Sequence, residues 1–151
     1  MTTTTNEKNT ATIMHLSTLS QYFIPFGNYF FPILIWAFKK DKSDFVDYNG
    51  KQTLNFQLSM LLYSLILLLI SVPVLLYTIF KNISFSNFDG SDLIIREMST
   101  ANISGIVIVA VVAILLFCFL KVMEFFLVIY AAVKSSNGQK YQYPLSINFL
   151  R

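Results

Sequence analysis

The sequence predicts an all-α, polytopic integral membrane protein, a helical bundle with three hydrophobic segments of which the first is broken at Pro25 and Gly27. Three observations carry that reading. Of 151 residues, 55% are hydrophobic and only 13% charged, about half the charge of an ordinary soluble domain. Mean hydropathy is +0.60. The charges gather in short stretches, leaving residues 16–38, 54–80 and 102–120 without one. Each run is close to or beyond the ~20 residues that cross a ~30 Å hydrocarbon core.

Residues 1–13 are polar and Thr-rich, and read as a flexible tail ahead of a single membrane domain, 14–151. They lack the basic region and small-x-small site of a signal peptide, so the first hydrophobic segment is expected to be retained. That segment, about 16–38, is interrupted by Pro25, Gly27 and Pro32. The prolines lack N–H donors and the glycine permits a sharp bend, giving two half-helices. Two geometries fit: a kinked span, taken as the default, or a re-entrant hairpin whose ends share one side.

The second segment, about 54–80, is the best helix. Asp47 and Asn49 offer candidate N-caps, Gly50 delays the start, and Pro73 predicts a kink. Gln52, Asn55, Ser59 and Tyr63 fall at spacings of three, four and four, a polar stripe on one face. With Asn28 and Gln57, residues Gln52, Asn55 and Ser59 are the candidate structural or lining polar groups. Unpaired amides are costly in lipid, so they are expected to face other helices or a wet cavity. Helix–helix bonding is the plainer role and substrate lining the sharper one.

A polar loop, 81–100, with an Asp89-Gly90 turn signal, leads to the third segment, about 102–133. Lys121 and Glu124 interrupt its apolar run. Three residues apart, they share a face as a candidate intramembrane charge pair. A lysine at mid-membrane costs about 2.5–3.5 kcal/mol, so the other reading has Lys121 reaching an interface. Asn137-Gly138 is a helix stop signal. Beyond it, apolar residues alternate with polar ones to Arg151, and the tail 135–151 is expected to lie along the membrane interface or dock on the basic connector.

Lysines cluster in the connector 39–53 (Lys39, Lys40, Lys42, Lys51), and Lys134, Lys140 and Arg151 follow the third segment. The positive-inside rule puts the connector and C-terminus in the cytoplasm. The side of the N-terminus depends on whether segment one spans or re-enters.

Nothing in the chain assembles a catalytic constellation, so no enzyme, cofactor or catalytic residue is expected. The lone Cys118 sits in an apolar run as a small hydrophobe. The lone His15 has no second histidine or thiolate to share a metal, and interfacial packing suits it better than base chemistry. No basic stripe with interleaved aromatics points to nucleic acid.

The runs HLSTLSQYFIPFGNYFFPILIWAFKKD, FVDYNGKQTLNFQLSMLLYSLI and NGQKYQYPLSINFL, in that order, resemble the Tic-twenty-like family of small bacterial membrane proteins, a domain of unknown function. The resemblance covers about residues 14–80 and 125–151. It implies an all-helical bundle in a bacterial cytoplasmic membrane and, through a plastid relative, an accessory role in protein translocation. The positions it carries over are Pro25, Gly27, Asn28, Asn55, Gln57, Gly138, Tyr143 and Pro144, with Lys121 and Glu124 outside the motifs. Two function classes follow: a non-enzymatic subunit of a membrane assembly, with a hetero-partner, and a small homo-oligomeric channel or transporter. The first is preferred.

Overall fold

A computed structural model describes residues 3–82 and 100–150, with side chains for 3–77 and 105–150. Its regular structure comprises α1 (Thr5–Ser17), a 3₁₀ turn (Thr18–Tyr22), α2 (Gly27–Lys39), a second 3₁₀ turn (Lys40–Lys42), α3 (Asp44–Asn82) and α4 (Thr100–Ser136). No strand occurs among the described residues. Most of the loop expected at 81–100 lies outside them. Two helical stretches, Asp44–Tyr77 and Gly105–Ser136, are long and apolar enough to cross a membrane. The first hydrophobic segment supplies no third one. It breaks at 23–26, and the 13 residues of α2 reach only about 20 Å at 1.5 Å per residue.

The polar N-terminal stretch is not a frayed tail. Most of it is α1, started by a reciprocal capping box. Thr4 Oγ1 accepts from the Glu7 N–H at 3.3 Å, and Glu7 Oε2 accepts from the Thr4 N–H at 2.7 Å. α1 packs beside α2 rather than continuing into it. The reversal between them is tight: Phe26 sits in the left-handed region at φ 61, and a Cβ on Gly27 would lie 2.5 Å from Ser20 Oγ. Only glycine fits there. The two arms therefore form a hairpin, and the single kinked rod expected by default is not seen.

α3 begins earlier than its candidate caps Asp47 and Asn49 suggested. Ser43 does the capping, its Oγ accepting from the Phe45 N–H at 3.2 Å. Asp47 instead accepts from Trp36 Nε1 at 2.8 Å and pairs with Lys51 at 2.7 Å. Gly50 does not delay the helix. It lies inside α3 under the Trp36 ring, where a Cβ would collide with Trp36 Cδ1. α4 ends where the Asn137-Gly138 signal put it. Gly138 has φ 74, its N–H bonds Ser135 O at 2.9 Å, and the Gln139 N–H bonds Lys134 O at 3.0 Å. That pair of bonds is a Schellman motif.

The chain divides into two compact units, Met1–Leu62 with Leu120–Arg151, and Tyr63–Phe119. In the first, the start of α3 is the central element: from Gln52 to Met60 nearly every side chain is buried. Ala11, Met14, Phe45, Phe56, Val128, Ala131 and Tyr143 complete its core. The second unit turns its apolar side chains outward, among them Leu68, Leu69, Ile70, Ile114, Leu115 and Phe119. Apolar exposure this continuous suits lipid, not water. Cys118 lies there too and is exposed.

Replacing Gly50 by leucine should displace Trp36 and cost about 1–3 kcal/mol, the usual penalty of overpacking. Trp36 is the only tryptophan, so its emission in detergent reports the change directly. A red shift with a lower Tm is expected.

Candidate functional site

The polar residues of the first unit turn inward and meet around α3. His15, fully buried, is the hub. Asn49 Nδ2 donates to the Phe45 carbonyl at 2.8 Å, leaving Oδ1 to accept from His15 Nε2 at 3.1 Å and from Ser135 Oγ at 3.0 Å. Those partners assign the proton to Nε2. Nδ1 then accepts from the Tyr143 hydroxyl at 2.9 Å, with Thr53 Oγ1 2.8 Å away and donating to the Asn49 carbonyl. One imidazole thus joins α1, α3 and the C-terminal tail, with α4 tied in through Asn49. Burial pushes its pKa down to about 4, partly offset by the bond to Asn49. Burial likewise holds the Tyr143 hydroxyl well above its usual range. His15 is therefore a neutral structural group, not the interfacial side chain the sequence suggested.

The tail meets the end of the connector, where Lys140 Nζ lies 5.0 Å from the Tyr48 ring centre and Ser135 bonds Asn49. It is held by the polar face of α3. Asn55 Oδ1 accepts from the N–H groups of Phe149 and Leu150 at 3.1 and 2.8 Å, and its Nδ2 donates to Leu150 O at 3.0 Å. Ser59 Oγ accepts from the Ile147 N–H at 2.8 Å and donates to Asn55 O at 2.7 Å. Tyr143 stacks on Phe56 with ring centroids 4.1 Å apart. Backbone groups of an irregular tail find their partners on helix side chains.

Asn28, buried near the start of α2, donates to Gln57 Oε1 at 2.7 Å. Gln52 is buried, and its Oε1 and Gln57 Nε2 have no hydrogen-bond partner. Lys121 Nζ meets Glu124 Oε2 at 2.8 Å. Gln21, unremarked in the sequence, completes that pair: its Nε2 donates to Glu124 Oε1 at 2.9 Å and its Oε1 accepts from Lys121 at 3.2 Å. Glu124 is 1% exposed. Each Glu124 oxygen thus has a partner, and removing either Lys121 or Gln21 would leave part of a buried carboxylate unpaired.

The open feature is a cleft of about 1150 Å³, lined by Thr3, Thr4 and Glu7 from the start of α1, by Trp36 and Lys40–Asp44 around the second 3₁₀ turn, by Asp47 and Lys51, and by Gly138 and Lys140. Charges of both signs line it. Among the described residues no group of three or more His, Cys, Asp or Glu is placed to hold a metal ion. Sequence reasoning missed the cleft because it joins residues from both ends of the chain.

A family model described as the magnetosome magnetite crystal formation protein family matches residues 6–150. It overturns the Tic-twenty-like resemblance, and the translocation role drawn from that resemblance goes with it. No curated protein and no solved structure matches.

Because the folded pKa of His15 lies below its unfolded value near 6.5, the unfolded chain binds the extra proton between those limits. The burial is therefore fully tolerated above about pH 6.5, and stability is lost as pH falls toward 4, by roughly 3 kcal/mol from this group. Thermal unfolding in detergent should show Tm falling over that window, with a shallower fall in His15→Gln. Separately, Asn55→Leu strands three backbone groups of the tail, each costing about 1–3 kcal/mol if left unmade. Tryptic cleavage after Lys140 should become several-fold faster.

Proposed function

The chain belongs to the magnetosome magnetite crystal formation protein family, and we propose that it acts as a non-enzymatic accessory protein of the membrane in which those crystals form. The carrying observation is the family match over residues 6–150, nearly the whole chain. Two apolar helices make it a membrane protein. The internal geometry supports an accessory role. Asn28, Asn55, Gln57 and Ser59 bond to each other's helices or to the tail, and we read them as structural rather than as the lining of a path. The channel reading drew on those side chains, so it falls behind.

On this reading the protein works by contact. The mixed-charge cleft is the surface that suits another membrane protein of the assembly or a second copy of this chain, since salt-sensitive charge patterns select partners more than they add affinity. By the lysines of 39–53, we place the connector and the C-terminus in the cytoplasm of a bacterial cell.

The test is complementation. A magnetosome-forming bacterium lacking its own member of the family would express this chain with a C-terminal tag. Electron microscopy should find larger magnetite crystals than in the deletion strain, with the tagged chain in the crystal-bearing membrane. Correct placement of the chain with unchanged crystals overturns the reading.

A further inference from the structure

The hairpin of α1, the 3₁₀ turn and α2 has an inverted polarity. α2 buries Gly27, Asn28 and Pro32 and turns Phe30, Ile33, Leu34 and Phe38 outward. At the tip, Phe23 is 88% and Phe26 75% exposed. The polar groups near the tip face the other way: Gln21 bonds the Lys121–Glu124 pair, and Asn28 bonds Gln57. A water-facing helix does the reverse. From residue 9 to residue 38 the chain carries no Asp, Glu, Lys or Arg, and its one histidine is buried.

The two ends of this hairpin lie together. Residues from the start of α1, Thr4 and Glu7, and from just after α2, Lys40 to Ser43, line the same cleft. Lys39, Lys40 and Lys42 stand at that base. An apolar, uncharged tip and a basic base about 20 Å away match the profile of one leaflet, with hydrocarbon ~15 Å deep under anionic headgroups.

We propose that residues 13–38 form a re-entrant hairpin whose aromatic tip is embedded in the acyl chains of one leaflet, so that the N-terminus, the connector 39–53 and the C-terminus all lie on the same side of the membrane. The protein then has two spans, and its tip carries Gln21 down to a buried ion pair that lipid could not solvate. The inference stands independently of the role in crystal formation.

The test uses the full chain with Cys118→Ser and single cysteines at exposed positions, Asn6→Cys, Asp41→Cys and Phe23→Cys, with Ile24→Cys as a second tip probe. Sealed vesicles of both orientations are treated with a membrane-impermeant maleimide. Positions 6 and 41 should be labelled from the same side only, and the tip positions from neither. A nitroxide at a tip position should be relaxed by oxygen more than by a water-soluble nickel chelate. Labelling of 6 and 41 from opposite sides overturns the proposal in favour of a span. Labelling of the tip from either side puts it in water and also overturns it. Efficient disulfide formation between copies at position 23 assigns the aromatic face to a second copy instead of lipid.

Discussion

The first unit is organised around the buried polar side chains of α3, which are bonded to other elements at every position but Gln52 Oε1 and Gln57 Nε2. Asn49, Thr53, Asn55, Gln57 and Ser59 are each almost wholly enclosed. An unsatisfied polar group in an apolar surrounding costs a few kcal/mol, and several together would undo a small domain whose whole stability is about 5–15 kcal/mol. Every neighbouring element contributes a partner. α1 offers His15, α2 offers Asn28, α4 offers Ser135, and the tail offers Tyr143 and its own backbone. Apolar contacts such as Phe56 on Tyr143 fill the space between.

The all-helical character and the two long apolar helices were legible because they rest on composition and on uncharged runs, which are local; the third segment was not. The stop at Gly138 was legible for the same reason, since a positive φ after a helix calls for glycine. The hairpin break at 23–26 could be read from Pro25 and Gly27, but not the direction the chain takes afterwards. That depends on Ser20 and Gly27 meeting, a contact no pattern announces. The capping box of Thr4 and Glu7 was not used in reading the sequence, and the helix it starts was therefore missed. Polarity says that a segment will not be buried, not that it will be unwound.

The candidate site was legible by residue type and illegible by partner. The stripe on α3 was visible in its spacing, yet its bonds run to residues some ninety positions away. His15 looked isolated because its partners, Asn49, Thr53 and Tyr143, carry no metal-binding or catalytic pattern. Gln21 had no signal at all; its value lies in a fork of donor and acceptor that can serve Glu124 and Lys121 together.

The docked tail sets an order of events. The groups that satisfy Asn55 and Ser59 belong to Ile147, Phe149 and Leu150, which are made some ninety residues after them. α3 reaches the membrane long before them, carrying amides that have nothing to bond. The first unit therefore cannot close from its N-terminus onward as the chain emerges. It stays open until residues 147–150 have been made, and a chain stalled or clipped ahead of them is left with an exposed polar seam, the kind of feature by which quality-control proteases distinguish unfinished membrane proteins from finished ones.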